Sequence, residues 1–359
     1  MLIVPWVYHD LNYELMQPFV NSNPSIYIAN LHHEQIGSKA TEPVLLPSSE
    51  NSKNSVIHFV WGDFFKELLI KTGVREELIY VTGNMRTDIA FEKTENKEDL
   101  AKEFDLDLKK EWILYTENRD RVSICDKKEE EHIIYLGLQE EDIPERKAFI
   151  LNSLNETIKE FNDLPESFFE KYELIYRPHP GSDASKDISN NVKVIYKYTI
   201  YDWIKVVDVN IVSGSTTIFE SDLAGIPSIV HEPFPYPDRQ RTSGLEFYPR
   251  ISRINDMDES TLLNYINEIA PKKIYERYIG KVDGNSCERV KVSVLSILEN
   301  GIPNYSANKM KISKKRYLRK HIFQKVTRIV VKTSLLEVVK YPRGAYRQRN
   351  EIPYRIMKN

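Results

Sequence analysis

Short apolar runs alternate with amphipathic, helix-like stretches along most of this 359-residue chain, and that alternation restricts it to an α/β architecture. Strand-like runs are read at 2–6, 25–29, 55–60 and 78–81, and again at 112–115, 174–176, 192–195, 209–212 and 228–230. Helices are read between them at 12–20, 62–72, 145–161, 202–206, 218–224 and 260–269, with a last one at 290–298. In the helix at 62–72, Phe64, Phe65, Leu68 and Leu69 gather on one side. A charged stretch at about 92–110, poor in apolar residues, reads as the lead-in to a second unit. The expectation is two Rossmann-like domains facing a cleft, 1–100 and 101–300, followed by a basic tail at 301–359. No internal repeat is evident.

Composition bounds the class. Hydrophobic residues make up 41 % and charged residues 29 %, the balance of a globular protein with a sizeable core. Cys125 and Cys287 lie far apart without metal-ligand spacing, so a disulfide framework is not expected and a reducing cytoplasm is. No run of about 18 apolar residues offers a spanning helix. Residues 1–6 lack the basic start of a signal peptide and read as a strand beginning at the first residue.

The net charge of −3 conceals an asymmetry: residues 309–358 hold sixteen Lys/Arg against two acids, Glu337 and Glu351. A basic tail on an acidic body calls for an anionic partner. Val326, Ile329, Val330, Leu335, Leu336, Val338 and Val339 interleave there with Arg328, Lys332 and Lys340, which suits an amphipathic helix on an anionic membrane surface. A solvated tail is the plainer alternative. Nucleic acid is not expected as a partner, because no recognition motif accompanies the charge.

Two loops carry the chemistry. Tyr176-Arg177-Pro178-His179-Pro180 follows one apolar run, and Ser213-Gly214-Ser215-Thr216-Thr217 follows another and opens a helix. Ligands of open parallel sheets bind at the carboxyl ends of strands. Hydroxyls and N–H groups at a helix start favour an anion, and Ser or Thr there also serves as a cap. An imidazole and a hydroxyl cluster at two such ends suggest a nucleoside mono- or diphosphate donor, with Ser213, Ser215, Thr216 and Thr217 at its phosphate. Arg177 and His179 share a face if the strand continues, so Arg177 would meet whatever anion His179 meets. His32-His33-Glu34 are sequence neighbours in a loop, which does not make a tetrahedral site; no metal or other cofactor is expected.

With Glu220 and Ala224-Gly225-Ile226-Pro227 following, the His-Pro pair and the Ser/Thr cluster resemble GT-B glycosyltransferases of bacterial surface carbohydrate biosynthesis, of capsule or lipopolysaccharide. Within that class the chain is similar to CMP-sugar transferases of the sialyl- and Kdo-transferase kind, and to CDP-glycerol glycerophosphotransferases. The resemblance covers roughly residues 1–300. It implies a nucleotide-sugar donor, a glycan or lipid-linked glycan acceptor, and a cytoplasmic enzyme peripheral to the inner membrane face. It implies that His179 contacts the donor phosphate and Glu220 the ribose. It implies an acceptor-activating base in an N-terminal loop, where Glu34 is the candidate and His33 the competitor. Asn84 and Arg86, in the loop after the fourth strand, would face the cleft; Arg86 could instead pair with Asp88. Against that class the N-terminal domain reads as shortened. Two further functions stay open at this stage: a UDP-sugar 2-epimerase, and a non-catalytic donor-binding subunit of polysaccharide assembly.

Overall fold

The computed structural model describes residues 1–91, 96–118, 127, 130, 131, 134, 138–179, 187–235 and 237–307. The basic tail from 309 onward, with its membrane assignment, and Pro180 of the His-Pro pair lie outside the described residues. Two separate parallel sheets form, which is the expected α/β class of two Rossmann-like units.

The first sheet runs β1 (Leu2–Val4), β2 (Ile28–Asn30), β3 (Ile57–Val60) and β4 (Ile79–Val81), in chain order and all parallel. Parallel neighbours need crossovers. Helix Asp10–Ser22 supplies one and helix Asp63–Thr72 another. The latter buries Phe65 and Leu69, four apart and so on one face, against Ile57, Phe59 and Val60 of β3. Between β2 and β3 lie two short helices, Glu42–Leu45 and Glu50–Asn54, which the hydrophobic pattern does not announce because together they bury only Ser52.

The second sheet contains β5 (Glu111–Glu117), β6 (Tyr172–Arg177), β7 (Lys193–Val194), β8 (Val209–Ser213), β9 (Ser228–His231) and β10 (Arg250–Ile251). Its spatial order is β10-β9-β8-β5-β6-β7. The chain enters at β5 in the middle, winds outward through β6 and β7, then crosses back to lay β8, β9 and β10 on the other side. The winding reverses between β5 and β8. Trp112, Ile113, Leu114 and Tyr115 of β5 are all fully buried, as a central strand covered on both faces requires.

The chain then returns to the first unit. Helix Ser286–Asn300 packs Ile297 into the first sheet's core. Asp88 caps it, accepting from the backbone N–H groups of Ser286 at 3.1 Å and Cys287 at 2.8 Å, rather than pairing with Arg86. Just before this helix the two units touch backbone to backbone. The Asn84 N–H donates to the Ile279 carbonyl at 2.9 Å, and Gly280 passes so close to Trp61 that a Cβ on it would lie 2.0 Å from the Trp61 carbonyl oxygen.

Candidate functional site at the sheet's reversal point

The reversal between β5 and β8 is where a doubly wound sheet opens a crevice at its carboxyl edge. Thr116 pairs with Val212 and Glu117 with Ser213, so both strands end level. Their ends are cross-linked. Ser213 donates to Glu117 at 2.9 Å, the Asn118 amide donates to the Gly214 carbonyl at 3.1 Å, and the Thr116 and Thr217 hydroxyls lie 2.7 Å apart. Ser215 Oγ accepts from the Thr217 hydroxyl at 3.0 Å and from its N–H at 3.3 Å. The hydroxyl cluster is therefore held rigidly before any ligand arrives. The helix it opens, Thr217–Leu223, is short.

Above this edge lies a cavity of about 190 Å³ walled by both units. Asn118, Ser213, Gly214 and Thr216 form its floor. Glu34, Ile36, Ser38 and Thr41 of the loop after β2 form the facing wall. Arg146, Phe149 and Ile150, from the first two turns of helix Ile143–Asp163, close a third side, and Gln240 and Thr242 a fourth. The walls are joined directly. The Ala40 N–H donates to the Arg239 carbonyl at 2.9 Å, the Ser243 N–H to the Gly37 carbonyl at 3.0 Å, and Ser38 and Thr242 form an antiparallel bridge.

Of the residues singled out from sequence, Glu34, Ser213 and Thr216 line this one cavity. Glu34 is held by its own turn, Oε1 accepting from the N–H groups of Gln35 at 3.1 Å and Ile36 at 3.3 Å. Burial raises its pKa, against the lowering effect of those N–H groups, Arg86 and His33. His33 is exposed, turns its ring toward the Pro5 carbonyl and is not among the residues lining the cavity.

Glu220 stands behind this loop. One oxygen accepts from the Tyr201 hydroxyl at 3.3 Å and the other is buried without a partner. Burial pushes its carboxyl up to about 7; Tyr201 and Arg86 pull it down and Glu34 pushes it further up. It is not a solvated first-turn acid. Arg86 sits among these groups, donating to the His33 carbonyl at 2.7 Å with its guanidinium 5.9 Å from the Trp61 ring. Asn84 is buried; its side chain accepts from the Arg86 N–H at 3.0 Å, so it shapes the loop and does not line the cavity.

The strand ends bearing His179 and the Ser/Thr cluster, expected to meet one donor, are not adjacent in the sheet. β5 lies between them, and Arg177 and Val212 flank Thr116 on either side, about 10 Å apart. His179 is on the same carboxyl edge, half-buried, but is not among the residues lining the cavity. The Arg177 guanidinium is held by backbone carbonyls of its own unit. It donates to the carbonyls of Lys197 at 2.8 Å and Tyr198 at 2.9 Å, fixing the segment that leads to Tyr201, and burial lowers its pKa to about 10. Sequence reasoning missed Asn118, Arg146, Tyr201, Gln240 and Thr242. Asn118 directly follows a central strand, the one signal that could have marked it, but only once the strand order is known. Among the described residues no group of three His, Cys, Asp or Glu is placed to hold a metal, and no helix is long and apolar enough to cross a membrane.

No protein-family model and no curated protein sequence matches the chain. Among solved structures it is similar to an S. aureus MnaA–UDP co-structure, with 15 % identity, 83 % of this chain and 76 % of that chain covered, and a TM-score of 0.46. It is similar to the wall teichoic acid polymerase TagF at 13 % identity, covering 76 % of this chain and 68 % of that one, with a TM-score of 0.45. It is also similar to a putative UDP-N-acetylglucosamine 2-epimerase from Listeria monocytogenes at 16 % identity, covering 72 % and 62 %, with a TM-score of 0.41. The two parallel sheets and the reversal between β5 and β8 follow from this chain's own backbone pairing.

Proposed function

We propose that this chain is a glycosyltransferase that moves a sugar from a nucleotide donor, CMP-linked in our reading, to a surface-glycan acceptor at the inner membrane face. A polyol phosphate from a CDP donor is the alternative cargo. One observation carries the reading: a carboxylate from one unit and a hydroxyl cluster at the other unit's reversal point wall the same cavity. Group transfer needs this division, with a base for the incoming hydroxyl on one side and polar groups for the departing phosphate on the other.

In the step we envisage, the acceptor hydroxyl gives its proton to the Glu34 carboxylate as its oxygen attacks the anomeric carbon. The bond from that carbon to the donor phosphate breaks, and the phosphate oxygen keeps the electron pair. Arg146 and the Thr216 hydroxyl receive the growing negative charge, and Ser213 holds the loop through Glu117. A buried carboxylate with a raised pKa is a better base near neutrality than a solvated one. Glu220 is assigned the donor's ribose and His179 its phosphate on the same edge. No metal is invoked in this scheme.

The test is a thermal-shift screen of CMP, CDP, UDP, GDP and their sugar or glycerol conjugates, followed by transfer assays with the best binder. Stabilisation by cytidine compounds together with transfer supports the reading. Stabilisation only by UDP or GDP compounds reassigns the donor. Epimerisation of UDP-N-acetylglucosamine without an acceptor replaces transfer by epimerisation. The absence of binding by every nucleotide overturns the proposal.

A further inference from the structure

Gln240 holds a whole unsatisfied amide in the cavity wall. It is 5 % exposed, lines the interlobe cavity, and neither the oxygen nor the nitrogen of its amide has a hydrogen-bond partner. Buried amides are rarely left so, because each orphaned group keeps its full desolvation cost. Its neighbours are committed. Arg239 pairs with Asp142 at 2.8 Å and Arg241 with Glu232 at 3.1 Å. The backbone on both sides is tied to the first unit through the Arg239 carbonyl and the Ser243 N–H. Three consecutive long polar side chains thus leave one loop, and only the middle one is kept inside without a partner.

We propose that the cavity is a subsite for a single hydroxylated ring, a pyranose, and that Gln240 is the specificity-determining residue that reads its hydroxyls. This rests on the reading of the cleft as a donor site. Size is the first argument: about 190 Å³ is slightly more than an engineered cavity of about 150 Å³ that holds a benzene ring, so one ring fits and a whole nucleotide does not. Polarity is the second. Glu34, Asn118, Thr216 and Gln240 approach from different walls, whereas Ile36 and the Phe149–Ile150 pair supply apolar surface. A pyranose has hydroxyls around its rim and C–H groups on its faces. A nucleobase has polar atoms along an edge and asks for flat aromatic faces, and among the described lining residues Phe149 is the single aromatic one. An amide supplies a donor and an acceptor side by side, which matches two adjacent hydroxyls.

The experiment compares the full chain with Gln240→Met, which keeps the length of the side chain and removes both polar atoms. Calorimetry is run with free glucose, galactose, mannose and N-acetylglucosamine, and separately with CMP, CDP and UDP. We expect at least one sugar to bind the unaltered chain, and its affinity to fall by a factor of about ten or more in the variant. Nucleotide affinities stay within about twofold, and the melting temperature of the sugar-free protein rises because an orphaned amide is gone. A Gln that merely packs would give the rise in melting temperature and no loss of sugar affinity, so the sugar affinity is the reading that decides. Gln240→Glu retains an acceptor and provides a second variant should Gln240→Met not fold; it is expected to weaken the same sugar. Nucleotide binding without sugar binding, or equal sugar affinity in the variants, overturns the subsite and leaves the donor reading standing. Gln240-dependent sugar binding without nucleotide binding overturns the donor reading and leaves the subsite. If neither class binds, both fall.

Discussion

Glu34 enters the cavity on a turn that its own carboxylate builds, so the chain presents it in one geometry without help from a ligand. That pre-organisation separates it from His33, its immediate neighbour, which is exposed and outside the wall. If Glu34 is the base, Glu34→Gln should reduce transfer by about 10²–10⁴-fold while leaving nucleotide-induced stabilisation in place. His33→Ala should change the rate by no more than a few-fold. Side-by-side rates of the two variants check this, and the reverse order would make the imidazole the base. Arg177 shows the same logic from the other side. Its charge looked available from the sequence, but two carbonyls twenty residues on claim its guanidinium. Arg177→Ala should therefore act first on stability, by about 1–3 kcal/mol for a lost charged hydrogen bond, as denaturant unfolding would read.

Elements were more legible than their arrangement. The apolar runs that became β3, β5, β6, β8 and β9 could be read because parallel strands buried on both faces are nearly continuous hydrophobic runs. The two-residue strand β7 lies inside the run read at 192–195, whereas β10, equally short, carries too few residues to leave a pattern. Strand order could not be read at all, since hydrophobic periodicity is local and the pairing of β5 with β8 spans almost a hundred residues. The candidate site inherited this limit. Ser213 and Thr216 were found because they sit where a strand ends and a helix begins, whereas Gln240 and Arg146 were missed because only the packing of distant segments makes them neighbours. Close packing also sets the expected cost of a change where the units meet. Gly280 has φ of +78° and its missing Cβ would strike the Trp61 carbonyl, whereas Gly225, with φ of +74°, has open space around it. Gly225→Ala should cost about 1 kcal/mol from backbone strain alone. Gly280→Ala should cost at least about 2 kcal/mol, since strain and overpacking combine. Thermal unfolding of the pair separates the two contributions, and equal losses would mean that the approach of the two units contributes nothing.

At the scale of the whole molecule, the two units bring Glu34 and Glu220 within electrostatic reach of one another, with Arg86 and Tyr201 facing the same region and His33 at its edge. The arrangement carries a charge problem that depends on pH. Glu220 titrates at about 7 in the folded protein against an ordinary value of 4.5. Below the lower value the folded and unfolded chains both hold the proton, and burial of this group costs little. Between the two values the unfolded chain releases the proton while the folded chain retains it, so stability falls as pH rises. Above the higher value the loss is constant, on the order of 3 kcal/mol. Glu220→Gln removes the titration and should flatten that part of the profile, becoming the more stable protein on the alkaline side. The same ionisation should loosen the junction, because a second negative charge then faces Glu34 across the cleft and Arg86 alone offsets it only in part. Small-angle scattering between about pH 5 and 8 should show the radius of gyration of the unaltered chain growing with pH while that of Glu220→Gln stays level. A bound donor would oppose the growth by holding both units at once. If the two proteins trace the same curve, the interlobe carboxylates do not govern how the units sit together.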